Sequence, residues 1–320
     1  MTSSPRATAA PSAPREHGLT LIEMVVALLV FGILMAGVAE LVVNSSRNAG
    51  ATGSLAAIED TGRTAQQIIS AGIRRAGYLG GNIDISNKED LIGGTLGDST
   101  IAATCVAADT TWATMVGQPI FGLNDTVTGY ACMTAGTAAT NYLRGDVLTV
   151  RYTPSPAVTG ALVATRPYLR ASLVDGKIFL GANTASSANT MSDPAARVYE
   201  LTANSFYVGA TGRRCQDEEI PALFRKAIDV NGRPASEELL AGVEHLQFRY
   251  LVGNRYYSAN AVPSWLGVDA VETTILVRAE CPEGAFENTR DFAMGDLGTA
   301  YGPNDGLRRQ VFTSTTSLRN

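Results

Sequence analysis

The chain has 320 residues, of which 45% are hydrophobic and 17% are charged, so it is long and apolar enough to bury a core. Its formal net charge of −5 argues against nucleic acid as the main partner, because phosphate backbones are bound by an excess of Lys and Arg. Only two histidines and four cysteines without a C-x-x-C pair are present, so the sequence indicates no zinc-like site. We assign no metal site and expect no cofactor.

The first 18 residues are polar, with Pro, Ser and Ala around Arg6 and Arg15. They cannot pack a core, and their composition is typical of a leader that is removed from the mature protein. Residues 24–39, which follow, are all apolar or Gly. Extended over residues 19–43, this run crosses the roughly 30 Å core of a bilayer at about 1.5 Å per residue. No A-x-A-like cleavage site follows it, so we expect the run to be retained as a membrane-spanning segment.

Glu23 lies at the start of this apolar run, where a carboxylate is costly unless it has a partner. One interpretation places Glu23 at the level of the lipid headgroups, where the cost is small. The other combines Glu23 with Gly18: cleavage after Gly18 would give Leu19 a free amine four residues before Glu23. The carboxylate of one subunit would then neutralise the amine of a neighbouring subunit in an apolar helix bundle.

After residue 43 the chain turns polar, but apolar residues continue at helical spacing. This spacing predicts one apolar stripe on a helix over residues 21–76. Gly77 is a candidate C-cap for that helix. Gly50 and Gly53 predict a soft or unwound point within it, because glycine is a poor helix former. The second half of the helix should pack on a globular domain.

Alternating apolar and polar residues predict strands at residues 145–154, 196–209, 242–253 and 270–280. Residues 172–181 predict a hairpin with Asp175 and Gly176 in its tight turn. Residues 82–140 are rich in Thr, Ala and Gly and indicate loops with short strands. The predicted fold class is therefore α+β, with a long N-terminal helix packed on a meandering, largely antiparallel sheet. The predicted organisation is a leader (1–18), a long helix (19–80) and a β-rich domain (81–320).

The four cysteines favour disulfides if most of the chain lies outside the cytoplasm. Cys105 and Cys132 enclose a short loop, and we pair them, which leaves Cys215 with Cys281. Four cysteines allow three pairings, so the connectivity stays open, as does the alternative that some cysteines are reduced and buried.

No catalytic signature is present in the sequence: there is no G-x-S-x-G, H-E-x-x-H, Walker A or G-x-G-x-x-G motif. His245, alone on a predicted strand, is expected to be a packed or surface residue. The acidic run at residues 217–219 lacks EF-hand spacing, so it is expected to be a solvated loop. Calcium binding is the alternative. Strand-edge packing is expected for the aromatic residues Tyr256, Tyr257 and Trp265, with an aromatic contact surface as the alternative.

The stretch G-L-T-L-I-E-M, residues 18–24, followed by the apolar run, resembles the class III signal of type IV pilins and type II secretion pseudopilins. The resemblance implies cleavage between Gly18 and Leu19 by a prepilin peptidase, and N-methylation of Leu19. It also implies that Glu23 sets the register of subunits during assembly. Leu19 departs from Phe, the commonest residue after the cleavage site.

Residues 62–81 resemble PilW-type minor pilins, in which a Gly-Arg pair opens a helical stretch that ends Arg-x-Ala-Gly-Tyr-x-Gly. The chain departs from that pattern at three points. No spacer separates Arg75 from Ala76, and Ile73 or Arg74 stands where the family commonly has an acidic residue. Gly81 stands where the family often has a cysteine. Later blocks resemble the same family in the same order, and the Gly-Val-Glu-x-Leu-Gln block at residues 242–247 is the most specific. The matching positions in the helical stretch are Gly62, Arg63, Arg75, Ala76, Gly77, Tyr78 and Gly80.

These resemblances imply a minor pilin that joins other minor pilins in a complex that primes pilus assembly and enters the fibre. The implied partners are other minor pilins, the major pilin, the prepilin peptidase and the inner membrane. The implied location is the inner membrane, with the globular domain in the periplasm, and later the pilus at the cell surface. One alternative is a J-type minor pseudopilin of a type II secretion system. An alternative of another class is a periplasmic enzyme or binding protein with an uncleaved anchor.

Overall fold

The computed structural model describes residues 20–81, 88–90, 111–127, 141–154, 156–173, 176–183, 193–232, 234–283 and 286–318. The chain divides into two units, Met1–Gly53 and Ser54–Asn320. The described part of the first unit is helical from Leu21 onward. The second unit combines the end of that helix with β-strands.

The long helix α1 spans Leu21–Arg75. All residues from 20 to 50 are exposed. The helix ends next to Gly77, whose φ of +79° is a left-handed conformation that glycine adopts without strain. Within the second unit, residues three or four apart are buried and form one apolar stripe. The stripe consists of Ile58, Gly62, Ala65, Ile69, Gly72 and Ile73.

The remaining described elements form a short helix and three β-sheets. The helix is α2 (Thr111–Thr114). The strands are β1 (Lys88–Asp90), β2 (Ile120–Leu123), β3 (Tyr142–Tyr152), β4 (Pro167–Ala171), β5 (Gly176–Leu180), β6 (Arg197–Glu200), β7 (Thr202–Cys215), β8 (Glu218–Ile228), β9 (Pro234–Ala241), β10 (Val243–Val252), β11 (Arg255–Tyr257), β12 (Val268–Arg278) and β13 (Arg309–Ser317).

The largest sheet has the order β2-β3-β7-β8-β9, and all of its neighbouring strands are antiparallel. A second antiparallel sheet has the order β11-β10-β12-β13. The third sheet, β1-β5-β4-β6, contains one parallel pair, because β1 runs alongside β5 in the same direction. The β3–β7 register shifts between Arg144 and Leu148, so Asp146 lies in an irregular stretch of β3.

The five-stranded sheet is buried on both faces. Leu148, Val150 and Phe206 belong to a core that also contains the helical stripe and β10 and β12 residues. Their neighbours Val147 and Tyr207 belong to a second core, shared with residues of β4 and β5. Successive residues of a strand point to opposite faces, so both faces need apolar side chains. This explains why β3 is buried at every position from Gly145 to Tyr152.

The predicted α+β class and the predicted helix are confirmed, and the helix ends one residue before the expected Ala76. The strands predicted at residues 145–154, 242–253 and 270–280 correspond to β3, β10 and β12. A hairpin lies near the predicted position and is formed by β4 and β5, but the prediction was wrong about Gly176, which begins β5 and pairs with Ala171 instead of lying in the turn. Asp175, in its turn, lies outside the described residues.

Three expectations were wrong. The helix continues through Gly50 and Gly53 without unwinding. Residues 196–209 form two strands rather than one, because the chain passes from the third sheet to the first at Leu201, which is completely buried. The strands form three sheets rather than one meander, since both faces of the largest sheet require cover.

Candidate assembly site

The N-terminal part of α1 presents a continuous apolar surface, and we call residues 20–43 the assembly segment. Its large apolar side chains are between 48% and 83% exposed. The helix is long and apolar enough near its N-terminus to cross a membrane, judged by length and composition. Contiguous apolar surface of this extent marks a site of contact with a membrane or with other proteins.

Thr20 and Glu23 form a capping box at the start of this segment. The Glu23 carboxylate accepts hydrogen bonds from the Thr20 backbone N–H and hydroxyl, each at 2.9 Å. The Glu23 N–H donates in return to the Thr20 hydroxyl at 3.4 Å. This reciprocal arrangement satisfies donors that a helix start leaves open. Sequence reasoning singled out Glu23 but missed this local role, for which the spacing T-L-I-E was an available signal.

The other predicted processing residues, Gly18 and Leu19, lie outside the described residues. Cleavage between them and methylation of Leu19 therefore stay predictions. The carboxylate of Glu23 is exposed despite its capping role. It is therefore accessible to a group supplied by another subunit.

The Gly-Arg pair of the PilW-like stretch lies where α1 passes β13. A methyl group on Gly62 would lie 2.2 Å from the ring of Phe312, so the helix approaches this strand as closely as glycine allows. Arg63 lies on the exposed side of the helix, with a guanidinium nitrogen 3.7 Å from the Glu59 carboxylate. Gly62 therefore has a packing role, and Arg63 belongs to a surface ion pair.

The end of the same stretch joins α1 to β3. The Gly77 N–H donates to the Arg151 carbonyl at 2.9 Å, and the Tyr78 carbonyl accepts from the Thr153 N–H at 2.8 Å. The Arg75 guanidinium lies 5.9 Å from the centre of the Tyr152 ring. These contacts stabilise the junction between helix and sheet, which is a structural role.

The Gly-Val-Glu-x-Leu-Gln block places a buried carboxylate, Glu244, in an ionic network. The side chains of Glu244 and Arg309 are 3% and 0% exposed, and Arg309 Nη2 donates to Glu244 Oε1 at 3.0 Å. Arg309 also donates to Asp305 at 2.5 and 2.6 Å. Arg278 lies 3.8 Å from Glu244. Burial by itself would lower the pKa of Arg309. Its hydrogen bonds to Asp305 and Glu244 outweigh this effect, so the pKa lies above its usual value. The network is a set of buried charges that compensate one another.

A second buried carboxylate, Asp146, connects two sheets. Its two oxygens accept hydrogen bonds from the backbone N–H of Asp125 at 2.9 Å and of Phe248, in β10, at 2.8 Å. Burial raises the pKa of Asp146, and the nearby carboxylates of Asp296 and Asp125 raise it as well. The two hydrogen bonds lower the pKa but do not outweigh these effects, so it lies at about 8. Asp146 is completely buried.

The structure contains a disulfide between Cys215, at the end of β7, and Cys281, just after β12. The predicted partners Cys105 and Cys132 lie outside the described residues. The Cys215–Cys281 bond closes a loop of 66 residues between the first and second sheets, which restricts the unfolded chain.

Two of the residues considered for chemistry or contact, His245 and Trp265, lie in packed positions. His245 is 5% exposed, its ring centre lies 5.5 Å from that of Tyr301, and burial lowers its pKa. Trp265 packs against Phe121 and Tyr250, with ring centres 4.9 Å apart in both pairs.

Tyr256 and Tyr257 each lie beside an arginine, Arg249 and Arg255 respectively. Asp217 lies in the exposed turn between β7 and β8, whereas Glu218 and Glu219 begin β8, so the acidic run is not the single loop that was expected. Across the described ranges, no group of three or more His, Cys, Asp or Glu side chains is arranged to hold a metal ion.

Two family models match the chain. Residues 13–39 match the prokaryotic N-terminal methylation motif. Residues 205–320 match PilW, the type IV pilus-assembly protein W. No curated protein and no solved structure matches the chain significantly.

The apolar N-terminal helix, the methylation motif and the antiparallel sheets define a protein of the pilin class with a membrane-anchoring segment. The match to PilW over residues 205–320 then supports a type IV pilus minor pilin of the PilW type. The pilin-family matches point to a structural, non-enzymatic protein. They also imply interaction with other pilus components.

Proposed function

We propose that this minor pilin is cleaved between Gly18 and Leu19 by a prepilin peptidase and N-methylated at Leu19. It then joins other minor pilins in a complex that primes assembly of a type IV pilus, and it enters the fibre beside the major pilin. Before assembly, the segment of residues 19–43 spans the inner membrane and the domain of residues 81–320 lies in the periplasm. After assembly, the protein lies in the pilus at the cell surface.

The observation that carries this proposal is that the assembly segment is exposed along its whole length. Its large apolar residues find no cover within the described chain, whereas the stripe from Ile58 to Ile73 on the same helix is buried. Apolar side chains that stay uncovered are stable in lipid or against equivalent helices of other subunits. Transfer from lipid into a helix bundle is the step that assembly requires.

We propose that Glu23 sets the register of this bundle. Its carboxylate caps its own helix through Thr20 and remains exposed. A methylated amine at Leu19 of a neighbouring subunit would bring a positive charge into the same apolar surroundings. Pairing the two charges removes the cost of an isolated charge in a low-dielectric bundle.

Three variants separate pairing from capping. Glu23→Gln removes the charge but keeps a side chain that completes a capping box, whereas Glu23→Ala removes both. Glu40→Gln removes the other acid of the apolar run and is the matched control. We expect Glu23→Gln and Glu23→Ala to reduce the protein in sheared pili at least tenfold, and Glu40→Gln to leave it unchanged. Membrane insertion and cleavage should be normal in all three.

Normal incorporation of Glu23→Gln together with failure of Glu23→Ala would show that Glu23 acts through capping alone. Loss of insertion in both would show that it acts before assembly. Recovery in sheared pili also separates the pilus role from the J-type pseudopilin role, in which deletion of the protein would block secretion instead. The match over residues 205–320 supports the pilus role.

Processing is tested by the intact mass of protein extracted from membranes. We expect a chain that lacks residues 1–18 and carries one additional methyl group. Gly18→Phe should leave the precursor uncut, while Arg15→Gln, three residues earlier, should not. An extracted wild-type chain that begins at Met1 would contradict the proposal and would support an uncleaved periplasmic anchor.

A further inference from the structure

A polar gap in the second unit lies between the loop after β2 and the turn at Gly295. Gln247, in β10, spans this gap. Its side-chain N–H donates to the Asp125 carboxylate at 2.7 Å. On the other side, a methyl group on Gly295 would lie 2.8 Å from the Gln247 Cβ and 3.9 Å from its Oε1. Asp296 follows Gly295 directly, so the carboxamide lies between two acidic residues.

Several oxygens around this gap are buried and have no hydrogen-bond partner among the described residues. Gln247 is 1% exposed, and its Oε1 is one of these atoms. Tyr250 is completely buried, and its hydroxyl is another. A buried polar atom without a partner loses its hydrogen bonds to water and gains none in return, so such atoms are rare in folded proteins. Two more such oxygens belong to residues next to the gap in sequence: Asn124 Oδ1, in the residue before Asp125, and Asp296 Oδ1, in the residue after Gly295.

The charge around the gap is negative and poorly compensated. The carboxyl groups of Asp125, Asp146 and Asp296 lie close enough to one another to interact electrostatically. Arg249, whose charge acts on Asp296, is already paired with Glu272, with Arg249 Nε 2.9 Å from the carboxylate. A cation in the gap would offset this repulsion and would give the unpartnered oxygens a ligand.

We propose that this gap binds one calcium ion through two carboxylates and two carboxamide oxygens. The ligands are Asp125, Asp296, Asn124 and Gln247. Calcium accepts carboxylate, Asn and Gln oxygens in flexible geometry, with water completing the shell, whereas magnesium demands a stricter octahedron. The oxygens of Asp146 already accept the backbone N–H groups of Asp125 and Phe248, so Asp146 holds the Asp125 loop rather than binding the ion.

This composition agrees with the absence of a three-acid metal cluster among the described residues, because half of the ligands are neutral amides. Asp125 is exposed, which provides an access path for the ion. A bound ion would tie the loop after β2 to β10 and to the turn at residues 295–296. The site is independent of the proposed role in the pilus.

The test is calcium titration of the detergent-solubilised full-length chain after treatment with EDTA, followed by isothermal calorimetry and thermal unfolding. We expect one ion per chain with a Kd of about 10⁻⁴–10⁻³ M, as in extracellular calcium modules, and a melting temperature that rises with calcium concentration. Magnesium should bind at least tenfold more weakly. No binding up to about 10 mM calcium, ten times the weakest such Kd, would overturn the proposal.

Two variants and one matched control locate the ion. Asp125→Asn and Asp296→Asn should weaken binding at least tenfold, whereas Asp217→Asn, in the exposed acidic turn, should not change it. Without calcium, Asp296→Asn should melt at or above the wild-type temperature because it removes repulsion, so lost binding cannot be ascribed to misfolding. Binding that survives both variants, or that is lost in Asp217→Asn, would place the ion elsewhere and overturn the proposal.

Discussion

Ile33 and Ile73 lie in the same helix, yet Ile33 is 66% exposed and Ile73 is completely buried. Two glutamates show the same contrast. Glu23 is exposed and bonds only to Thr20 among the described residues, whereas Glu244 is buried against Arg309 and Arg278. The second unit buries Ile73 and pairs Glu244 with its own arginines. The first unit leaves both kinds of side chain to a membrane or to other subunits.

The largest difference in stability between the two parts of α1 is expected from truncating the buried isoleucine, Ile73. Ile73→Ala should lower the free energy of unfolding by about 4 kcal/mol, because it leaves a cavity between helix and sheets. Ile33→Ala makes the same change in the assembly segment and should leave this free energy unchanged. Urea unfolding of the solubilised chain measures both. Equal losses in the two variants would mean that the two parts of α1 contribute alike to folding.

A neutral replacement of the buried glutamate has the next largest effect. Glu244→Gln should lower the free energy of unfolding by about 3 kcal/mol, since Arg309 then keeps only Asp305 as a charged partner. Glu23→Gln is the matched change in the first unit, and it should leave the urea midpoint at the wild-type value. A loss below about 1 kcal/mol for Glu244→Gln would equate it with a surface pair.

Gly62 and Gly53 lie in the same helix but differ in how closely other residues approach them, so they test the same comparison between the two units. Ala is a better helix former than Gly by about 1 kcal/mol, but a methyl group at residue 62 would meet the Phe312 ring. Gly62→Ala should therefore destabilise by about 1 kcal/mol, and it should become stabilising in a Phe312→Ala background. Gly53 has no atom within 4 Å of the added methyl group, so Gly53→Ala should leave unfolding of the second unit unchanged. Additive effects in the double variant would exclude the ring contact.

The smallest expected effect is on acid stability. Burial raises the pKa of Asp305, but hydrogen bonds from Arg309 outweigh it and hold the pKa below its usual range. A carboxylate with a lowered folded pKa stabilises the fold above its unfolded pKa of about 3.9, and that contribution is lost as pH falls through the folded value. Asp305→Asn should thus cost stability at pH 7 and progressively less below about pH 4. A difference in unfolding free energy between wild type and Asp305→Asn that does not depend on pH would contradict the lowered pKa of Asp305.

Much of this architecture could be predicted from local patterns. The helix was predicted to within one residue at its end, because its apolar stripe and its terminating glycine are adjacent in sequence. The β13 strand was missed, although its β-branched residues at positions 311–316 were an available signal. The break between β6 and β7 at Leu201 could not be predicted, since an apolar residue is equally compatible with the middle of one long strand and with a buried link between two strands.

The functional residues divide in the same way. Glu23 was found from its place at the start of an apolar run, and its capping role was encoded three residues earlier in Thr20. The environment of Glu244 was not predictable, because Arg309 lies 65 residues further along the chain. The gap spanned by Gln247 likewise combines residues more than 100 positions apart in sequence.

By itself, the sequence determined the long helix, its apolar first half, the principal strands and the pilin class, because each depends on spacing within a short window. Tertiary structure alone decided the three-sheet arrangement, the fit of Gly62 against Phe312 and the partners of the buried charges. The physical reason is that burial and charge compensation depend on which distant segments meet, and periodicity shows only that a side chain needs a partner.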